Sequence, residues 1–481
     1  MQRIVGIPEK QLQDVQLIAT LAGMGLFDAD YYDSDDMLAH PRHQDMQPVL
    51  ATLIQQLRDC TTEEAGVAFQ RDLLTRLLEA EKDRKELKRA AERVRKGKSP
   101  QPEAPEPQSG RGLGDVETWR FEHDVCDRLV RQLRSVGDAL AWRAFNFHRP
   151  YILALSRNDP PGPMYGKAGL LAELDRVERA FKENGAFALL HDLTNCLRIG
   201  DVTVWDRVRP PRTEEIKTNP KARKSAQIRR INQARAAVLE AGPLPGERAS
   251  ETLHDLDLPL RTHLDVLRAA LDRAATEGCH ATAVPGSRAL YVVDQLGCIQ
   301  QGLPSPQFNE RLQQAVNTAL ESAGIAAGRD EHNVHFTSLE STARDPLRVP
   351  WANYPLHPVA CARLIGDYAS VIVETSGPAL ARLLQVAGLD AHWVLPPGKT
   401  SLKPGQVVME IHQREQLRGL PAGALTMAPG WTLQMGRSEL DRYMIELVQP
   451  GSWIAGMKHV LAARQVGQPW PHYRNEHEVW L

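Results

Sequence analysis

The sequence predicts an α/β protein with a helical N-terminal region. Apolar residues recur at helical spacing through residues 1–97, whereas short apolar runs alternate with amphipathic stretches beyond residue 115. Such alternation is typical of strands and helices packed in layers. The length of 481 residues exceeds what one ordinary core holds, so we expect several domains.

The composition is that of a globular chain, with 42% hydrophobic and 25% charged residues and a net charge of −2. A near-neutral total does not exclude nucleic acid, because basic residues can be concentrated locally. Six widely spaced cysteines without a CxxC pair favour neither a zinc site nor a disulfide framework. No run approaches the roughly 18 apolar residues of a membrane span, so we expect a cytoplasmic protein.

The N-terminal region, residues 1–97, is predicted to be a helical domain. Apolar spacing predicts helices over Glu9–Met24 and Gln47–Arg58. A third helix begins at the sequence Thr-Thr-Glu-Glu, where Thr61 can accept a backbone N–H and Glu64 can reach back.

This third helix continues into a highly charged segment, residues 81–98. A basic run can be a nucleic-acid-binding arm, but the acids interspersed here favour a solvated helix end. Residues 99–114 are rich in proline, glycine and polar side chains. With almost nothing to bury, residues 98–115 are predicted to be a linker.

Residues 116–304 and 305–481 are predicted to form two α/β domains. In the first, helices are expected at Val116–Arg134, Leu170–Asn184, Ser225–Leu239 and Leu260–Ala275, and strands at Ala139–Phe145, Tyr151–Leu155, Phe187–Leu190 and Ala289–Asp294. In the second, helices are expected at Phe308–Ala323, Val359–Gly366 and Pro378–Ala387, and strands at Val334–Thr337, Val371–Glu374, His392–Leu395 and Val407–Ile411. The second of these domains has no assigned role.

One stretch of the central region has a chemical rationale. Asp201 lies in an apolar run, and a run containing Glu215 and Lys217 follows a proline-containing turn, so a hairpin could bring both acids to one metal ion. On a strand, Glu215 and Lys217 would face the same side while Ile216 enters the core. Phosphodiester hydrolysis needs a hard cation, and Mg²⁺ takes carboxylate oxygens. We expect Asp201 and Glu215 to bind Mg²⁺, or Mn²⁺, and Lys217 to assist the attack of water.

This arrangement resembles the PD-(D/E)XK nuclease superfamily, whose active site has an acid at one strand, Glu-x-Lys on the neighbouring strand, and then a helix. The resemblance covers about Leu170–Asp294 and implies a restriction-endonuclease-like core there. It does not account for residues 1–115 or 305–481. One departure is that Gly200 precedes Asp201 where the superfamily's motif has proline.

The resemblance also implies two further site residues. The superfamily often adds a glutamate on the preceding helix, for which Glu173 or Glu178 is available, and Glu173 is taken as the third metal ligand. It often adds a polar residue on the following helix, for which Gln227 is preferred to Gln233.

A basic segment follows the Glu-Ile-Lys sequence. Between residues 221 and 235 there is no acid, and the cations expected to contact nucleic acid are Lys221, Arg223, Lys224, Arg229 and Arg230. Such a run can bind the phosphate backbone without reading sequence. A solvated helix face is the alternative interpretation.

Together these residues predict a magnesium-dependent nuclease, in particular an endonuclease, that hydrolyses DNA, with RNA as the alternative substrate. A chain rich in arginine and alanine would suit bacterial genome defence by association. The oligomeric state is open, with a homodimer as one option. The alternative from another class is a non-catalytic nucleic-acid-binding or interaction protein that retains a nuclease-like scaffold.

Overall fold

The computed structural model describes most of the chain, in thirteen segments. These are residues 34–109, 115–156, 161–205, 210–216, 226–240, 242–245, 251–301, 306–325, 333–337, 348–395, 407–413, 431–463 and 470–476. The predicted helix Glu9–Met24 lies outside the described residues.

Three helices begin the described chain: α1 (Ser34–Ala39), α2 (Pro41–Asp59) and α3 (Glu63–Arg95). The helix predicted over Gln47–Arg58 is confirmed within α2. The capping residue of α3 is Thr62 rather than Thr61, because Thr62 has extended backbone angles and its hydroxyl accepts the Ala65 N–H at 3.2 Å. The sequence signature therefore located this helix start to within one residue.

Two predicted strands are helical in the structure. Helix α4 spans Val116–Ala144, so the expected helix is confirmed and extends through most of the first predicted strand, Ala139–Phe145. Helix α5 spans Arg149–Leu155 and replaces the second, Tyr151–Leu155. Nearly every side chain in both runs is buried. A fully buried apolar run has no polar face and therefore no readable period, which is why strand and buried helix could not be told apart.

The elements around the predicted site are confirmed, except that the strand expected to carry Glu215 ends one residue before it. They are α6 (Leu170–Asn184), β1 (Phe187–Leu190), β2 (Val202–Trp205), β3 (Arg212–Glu214) and α7 (Ala226–Leu239). The three strands form one antiparallel sheet in the order β1-β2-β3. Leu190 pairs with Val202, and Val202 pairs with Glu214, so the start of β2 lies at the same edge as the ends of β1 and β3.

A second sheet contains four antiparallel strands in the order β5-β6-β8-β7. The elements of this part are β4 (Glu251–Pro259), α8 (Leu264–Glu277), β5 (Cys279–Val284), β6 (Arg288–Asp294), α9 (Gln295–Gln300), α10 (Pro306–Ser322), β7 (Asn333–Thr337), α11 (Pro358–Ile365) and β8 (Ala369–Ser376). The predicted helices and strands here are confirmed within a few residues, whereas β4 and β5 were not predicted.

The remaining elements are α12 (Gly377–Val386), β9 (Asp390–Trp393), β10 (Val407–Gln413), β11 (Trp431–Gly436), α13 (Arg437–Ile445), α14 (Pro450–Ala463) and β12 (Trp470–Glu476). Strands β9 to β11 form an antiparallel sheet, and β12 pairs in parallel with β4. No local sequence pattern predicts β4, because its pairing partner, β12, lies near the C-terminal end of the sequence.

The α/β class is confirmed in its broad form, as helices combined with small and mostly antiparallel sheets. One hydrophobic cluster includes Leu50, Leu190 and Met444, one from each predicted domain. In the predicted linker, the N–H groups of Gln108 and Ser109 donate to Glu122 of α4. The division into domains remains a prediction.

All six cysteines are free, and four of them are buried, as expected for small apolar residues. Among the helices of the described residues, none combines the length and the apolar character required to cross a membrane.

The buried ring of His43 should make folding sensitive to acid. Burial lowers the pKa of His43 from 6.5 to about 3, while its Nε2 lies 2.7 Å from the Gly366 carbonyl. At pH values between these two pKa values, His43 is protonated in the unfolded chain and neutral in the folded chain. The free energy of unfolding therefore falls as the pH drops below 6.5. We expect His43→Gln to reduce the loss of stability between pH 7 and pH 5 by about 2 kcal/mol.

Urea unfolding followed at both pH values measures this difference. His392→Gln, at a histidine whose side chain is 49% exposed, is the control and should behave as wild type. A His43→Gln variant with an unchanged pH dependence would contradict the assignment.

Candidate active site

The β2–β3 hairpin predicted from sequence places Asp201 at the start of β2, directly after Gly200. The φ angle of Gly200 is +85°, and a Cβ there would lie 2.4 Å from Thr213 Cγ2. Proline, with φ fixed near −65°, cannot adopt this backbone, and glycine adopts it without a steric penalty. The glycine found where the superfamily motif has proline therefore fits the local geometry.

Asp201 is fixed by backbone contacts to both neighbouring segments. Its N–H donates to the Glu214 carbonyl at 2.8 Å, and its own carbonyl accepts the His191 N–H at 2.9 Å. Its Oδ2 accepts the Ile216 N–H at 2.7 Å. The segment just after β3 thereby fixes the orientation of the Asp201 carboxylate.

The two glutamates of α6 that the sequence offered, of which Glu173 was preferred, lie in different surroundings. Glu173 is buried, with 2% exposure, and the charges of Asp201 and Asp192 act on it. Glu178 lies on the outer surface, where it pairs with Arg71 and Lys182. Glu173 is therefore the glutamate that shares a site with Asp201.

A lysine that sequence reasoning did not single out lies among these acids. Lys167 Nζ is 2.7 Å from Glu173 Oε1, 2.6 Å from Asp192 Oδ2 and 3.8 Å from Asp201 Oδ1. We call Lys167, Glu173, Asp192 and Asp201 the acid cluster. Lys167 sits in a loop before α6, and no local sequence pattern distinguishes it from a solvated lysine.

The acid cluster carries more negative than positive charge. Burial raises the pKa of Asp201; the Ile216 N–H opposes that effect, and the charge of Glu215 adds to it. Burial also raises the pKa of Glu173, Lys167 opposes, and Asp201 and Asp192 add to it. Although burial disfavours its charge, hydrogen bonds to Asp192 and Glu173 raise the pKa of Lys167. The cluster thus has one ammonium for three carboxylates, with Arg134 also acting on Asp192. A further cation close to Glu173 and Asp201 would be stabilised there.

Glu215 and Lys217 differ in what the structure describes. Strand β3 ends at Glu214, so the prediction that Glu215 continues the strand is wrong, because Ile216 turns its N–H to Asp201 instead of to a strand partner. Glu215 still lies close enough to act electrostatically on Asp201. Lys217 lies outside the described residues.

Glu214 has a structural role beside the site. The guanidinium of Arg176 on α6 donates to both of its carboxylate oxygens, at 2.7 and 2.9 Å. This bidentate pair holds the end of β3 against the helix that carries Glu173.

The predicted nucleic-acid segment is described only in part. Lys221, Arg223 and Lys224 lie outside the described residues, while Arg229 and Arg230 lie on α7, the first exposed and the second half-buried. The Gln227 amide donates to the Arg198 carbonyl at 3.3 Å. Gln227 thus contacts the chain just before Gly200 and lies beside the hairpin.

Next to Asp192, His191 is buried and its Nε2 lies 2.7 Å from the Thr203 hydroxyl. Burial lowers its pKa to about 4, so the ring is neutral near pH 7. The Thr203 hydroxyl in turn lies 2.8 Å from that of Thr213. This chain of side chains ties the three strands together at the site edge.

The loop that carries Lys167 is anchored by a buried carboxylate of α3. Glu81 Oε2 accepts the N–H groups of Met164 and Tyr165 at 2.6 and 2.7 Å, and Oε1 accepts from Arg134 of α4 at 2.7 Å. Burial lowers the pKa of Arg134 to about 10, so it remains a cation at neutral pH and needs Glu81 as its counter-charge.

Residues of the acid cluster fit a divalent cation in their chemistry. Within the part of the chain that the structure describes, no three His, Cys, Asp or Glu side chains are already arranged to hold a metal ion, and Lys167 lies between the acids of the cluster. The second oxygen of Glu173, Oε2, is nevertheless buried without a hydrogen-bond partner there. A buried carboxylate oxygen of this kind is a ligand that Mg²⁺ or Mn²⁺ accepts.

No protein-family model, curated protein or solved structure matches the chain. The interpretation of the site therefore rests on its residues and their geometry.

Removing the Glu81 charge should destabilise the protein and release the loop. Glu81→Gln removes the hydrogen-bonded counter-charge of the buried Arg134 and leaves only the charge of Asp192 acting on it. We expect a loss of about 3 kcal/mol in the free energy of unfolding. Urea unfolding measures the loss, and hydrogen exchange at Met164 and Tyr165 reports the loop. Glu79→Gln, at an exposed position of the same helix, should change neither, and equal behaviour of the two variants would contradict this anchoring role.

Proposed function

We propose that this protein is a magnesium-dependent nuclease that hydrolyses phosphodiester bonds of DNA, built on a restriction-endonuclease-like core. The observation that carries the proposal is the convergence of Glu173, Asp192 and Asp201 around Lys167, at the end of the β1-β2-β3 sheet where β2 begins, with Glu215 beside them. These carboxylates come from a helix and from three separate turns of chain, and no single local pattern would bring them together.

Roles follow from the contacts of each residue. Glu173, Asp201 and Glu215 would hold the metal, and bound Mg²⁺ or Mn²⁺ would supply charge neutralisation at the phosphate and a more acidic water. The Ile216 N–H keeps Asp201 in one orientation. Gln227 stays in the proposal as a polar residue of the following helix, and Lys217 as the assisting lysine implied by the resemblance.

Lys167 has a place in this proposal as a resident counter-ion. An ammonium within 2.7 Å of Glu173 and Asp192 offsets the repulsion between buried carboxylates when no metal is bound. Its long, rotatable stem allows it to move away while keeping its charge near the phosphate.

A second candidate is a non-catalytic interaction protein that keeps the same scaffold. It is favoured by one observation, the insertion of Lys167 between the acids, since an ion-pair network can be purely structural. In that case divalent cations would change neither stability nor any activity.

Exchanging single glutamates on α6 tests the proposal with a matched control. We expect Glu173→Gln to lower Mg²⁺- or Mn²⁺-dependent cleavage of plasmid and linear DNA by about 100-fold or more, because a metal ligand is lost. Glu178→Gln, on the outer face of the same helix, should cleave as wild type does. Gel assays with DNA and RNA, with EDTA as the blank, measure both.

Asp201→Asn should behave as Glu173→Gln does. Two results would contradict the nuclease proposal. One is that the wild type leaves both DNA and RNA intact with Mg²⁺ and with Mn²⁺, and the other is that the Glu173→Gln variant keeps full activity. Circular dichroism of each variant separates lost chemistry from lost folding.

A further inference from the structure

A polar groove runs along the C-terminal half of α3. It encloses about 730 Å³, and its cationic and aromatic lining consists of Lys82, Arg89, Arg93, Lys96, Lys98 and Tyr165. We call this the α3 groove. It is formed by the charged segment that the sequence favoured as a solvated helix end, together with the loop after α5.

Four of the cations that line the groove fall on one face of α3 and its C-terminal cap. Positions 82, 89, 93 and 96 follow helical spacing, so their side chains form a stripe. From Lys82 to Lys96 the stripe is about 21 Å long at 1.5 Å per residue. Along the axis of a duplex, that length corresponds to about six base-pair steps, with one phosphate per strand for every 3.4 Å or so of axis.

Three acids, Glu86, Glu92 and Glu103, also line the groove, so its five cations exceed its acids by two. Glu86 is held by Arg89 at 2.8 Å and by the Gln101 amide, so it is occupied within the protein. Among the described residues, Lys82, Lys96 and Lys98 form no ion pair. Three exposed ammonium groups therefore remain for an anionic partner.

The groove adjoins the acid cluster through two peptide units. Tyr165 lines the groove, and Lys167, two residues later, reaches Glu173 and Asp192. Two residues span at most about 7 Å. Glu81 fixes the backbone at Met164 and Tyr165, so this short distance is built into the fold.

We propose that the α3 groove binds the sugar-phosphate backbone of the DNA strand that leads to the acid cluster. The occupant is identified by its chemistry: an extended polyanion suits a groove whose three exposed lysines form no ion pair within the described residues. The nucleic-acid surface then includes α3, in addition to the basic segment around α7. The inference that the bound strand leads to the acid cluster rests on the proposed nuclease function, but binding of DNA to the groove can be measured without cleavage.

A triple variant tests the groove. Lys82→Gln, Lys96→Gln and Lys98→Gln together remove three exposed charges. The matched control combines Lys88→Gln and Arg95→Gln on other faces of α3 with Lys182→Gln on α6, all exposed. Fluorescence anisotropy with labelled 30-nucleotide single-stranded DNA, the matching duplex and RNA, in EDTA and over a salt series, gives the affinities.

We expect the groove variant to bind DNA about tenfold or more weakly near 0.15 M salt, and its dependence of log K on log salt to be shallower by about 2 to 3. The control should show at most a small part of this change. The single-stranded and duplex arms show which form of DNA the groove holds.

Three outcomes would contradict DNA binding by the α3 groove. They are equal affinities of the groove and control variants, no DNA binding by the wild type, or a preference for RNA that the groove variant alone loses. If the groove variant loses DNA binding while the wild type fails to cleave in Mg²⁺ or Mn²⁺, the groove stands and the nuclease proposal fails. Thermal unfolding of all three proteins verifies that they are folded.

Discussion

The buried carboxylate of Glu81 is the interaction on which the rest of the site depends. It joins three parts of the chain, since it lies on α3, pairs with Arg134 of α4 and accepts two backbone N–H groups of the loop before α6. A buried charge persists only when it is paired and hydrogen-bonded, and these contacts meet that requirement. The loop is therefore held in one place without a secondary-structure element of its own.

Two functional features follow from that placement. On one side of the loop Tyr165 completes the α3 groove, and on the other Lys167 enters the acid cluster. The cluster gathers acids that repel each other, and its single described lysine leaves an excess of negative charge. The stability of the cluster and its proposed chemistry are thus coupled. The negative charge that Lys167 partly neutralises is also what would attract a divalent cation.

Local sequence predicted those parts of the site that depend on neighbouring residues. The α6 helix, the β1 strand and the hairpin at Asp201 have clear periods and turn signals, and all three are confirmed. The two predicted strands that are helical in the structure lie in largely buried segments, such as the C-terminal part of α4. No polar face shows the helical period there.

The remaining misses involve contacts between distant parts of the chain. Lys167 becomes significant only because Glu81, 86 positions earlier by the numbering, fixes its loop. Among the described strands, β4 pairs only with β12. Glu173 was preferred to Glu178 from the sequence, but the burial that distinguishes the two glutamates depends on which face of α6 meets the sheet. Each of these is a tertiary fact that no window of sequence contains.

Anomalous X-ray diffraction from crystals grown with Mn²⁺ tests the central claim most directly, since it locates the metal without relying on activity. The account predicts one Mn²⁺ peak bounded by oxygens of Glu173 and Asp201, with Lys167 Nζ moved away from at least one of its carboxylates. An empty cluster still bridged by Lys167, at an Mn²⁺ concentration well above that of the protein, would contradict it and identify the acids as a structural ion-pair network.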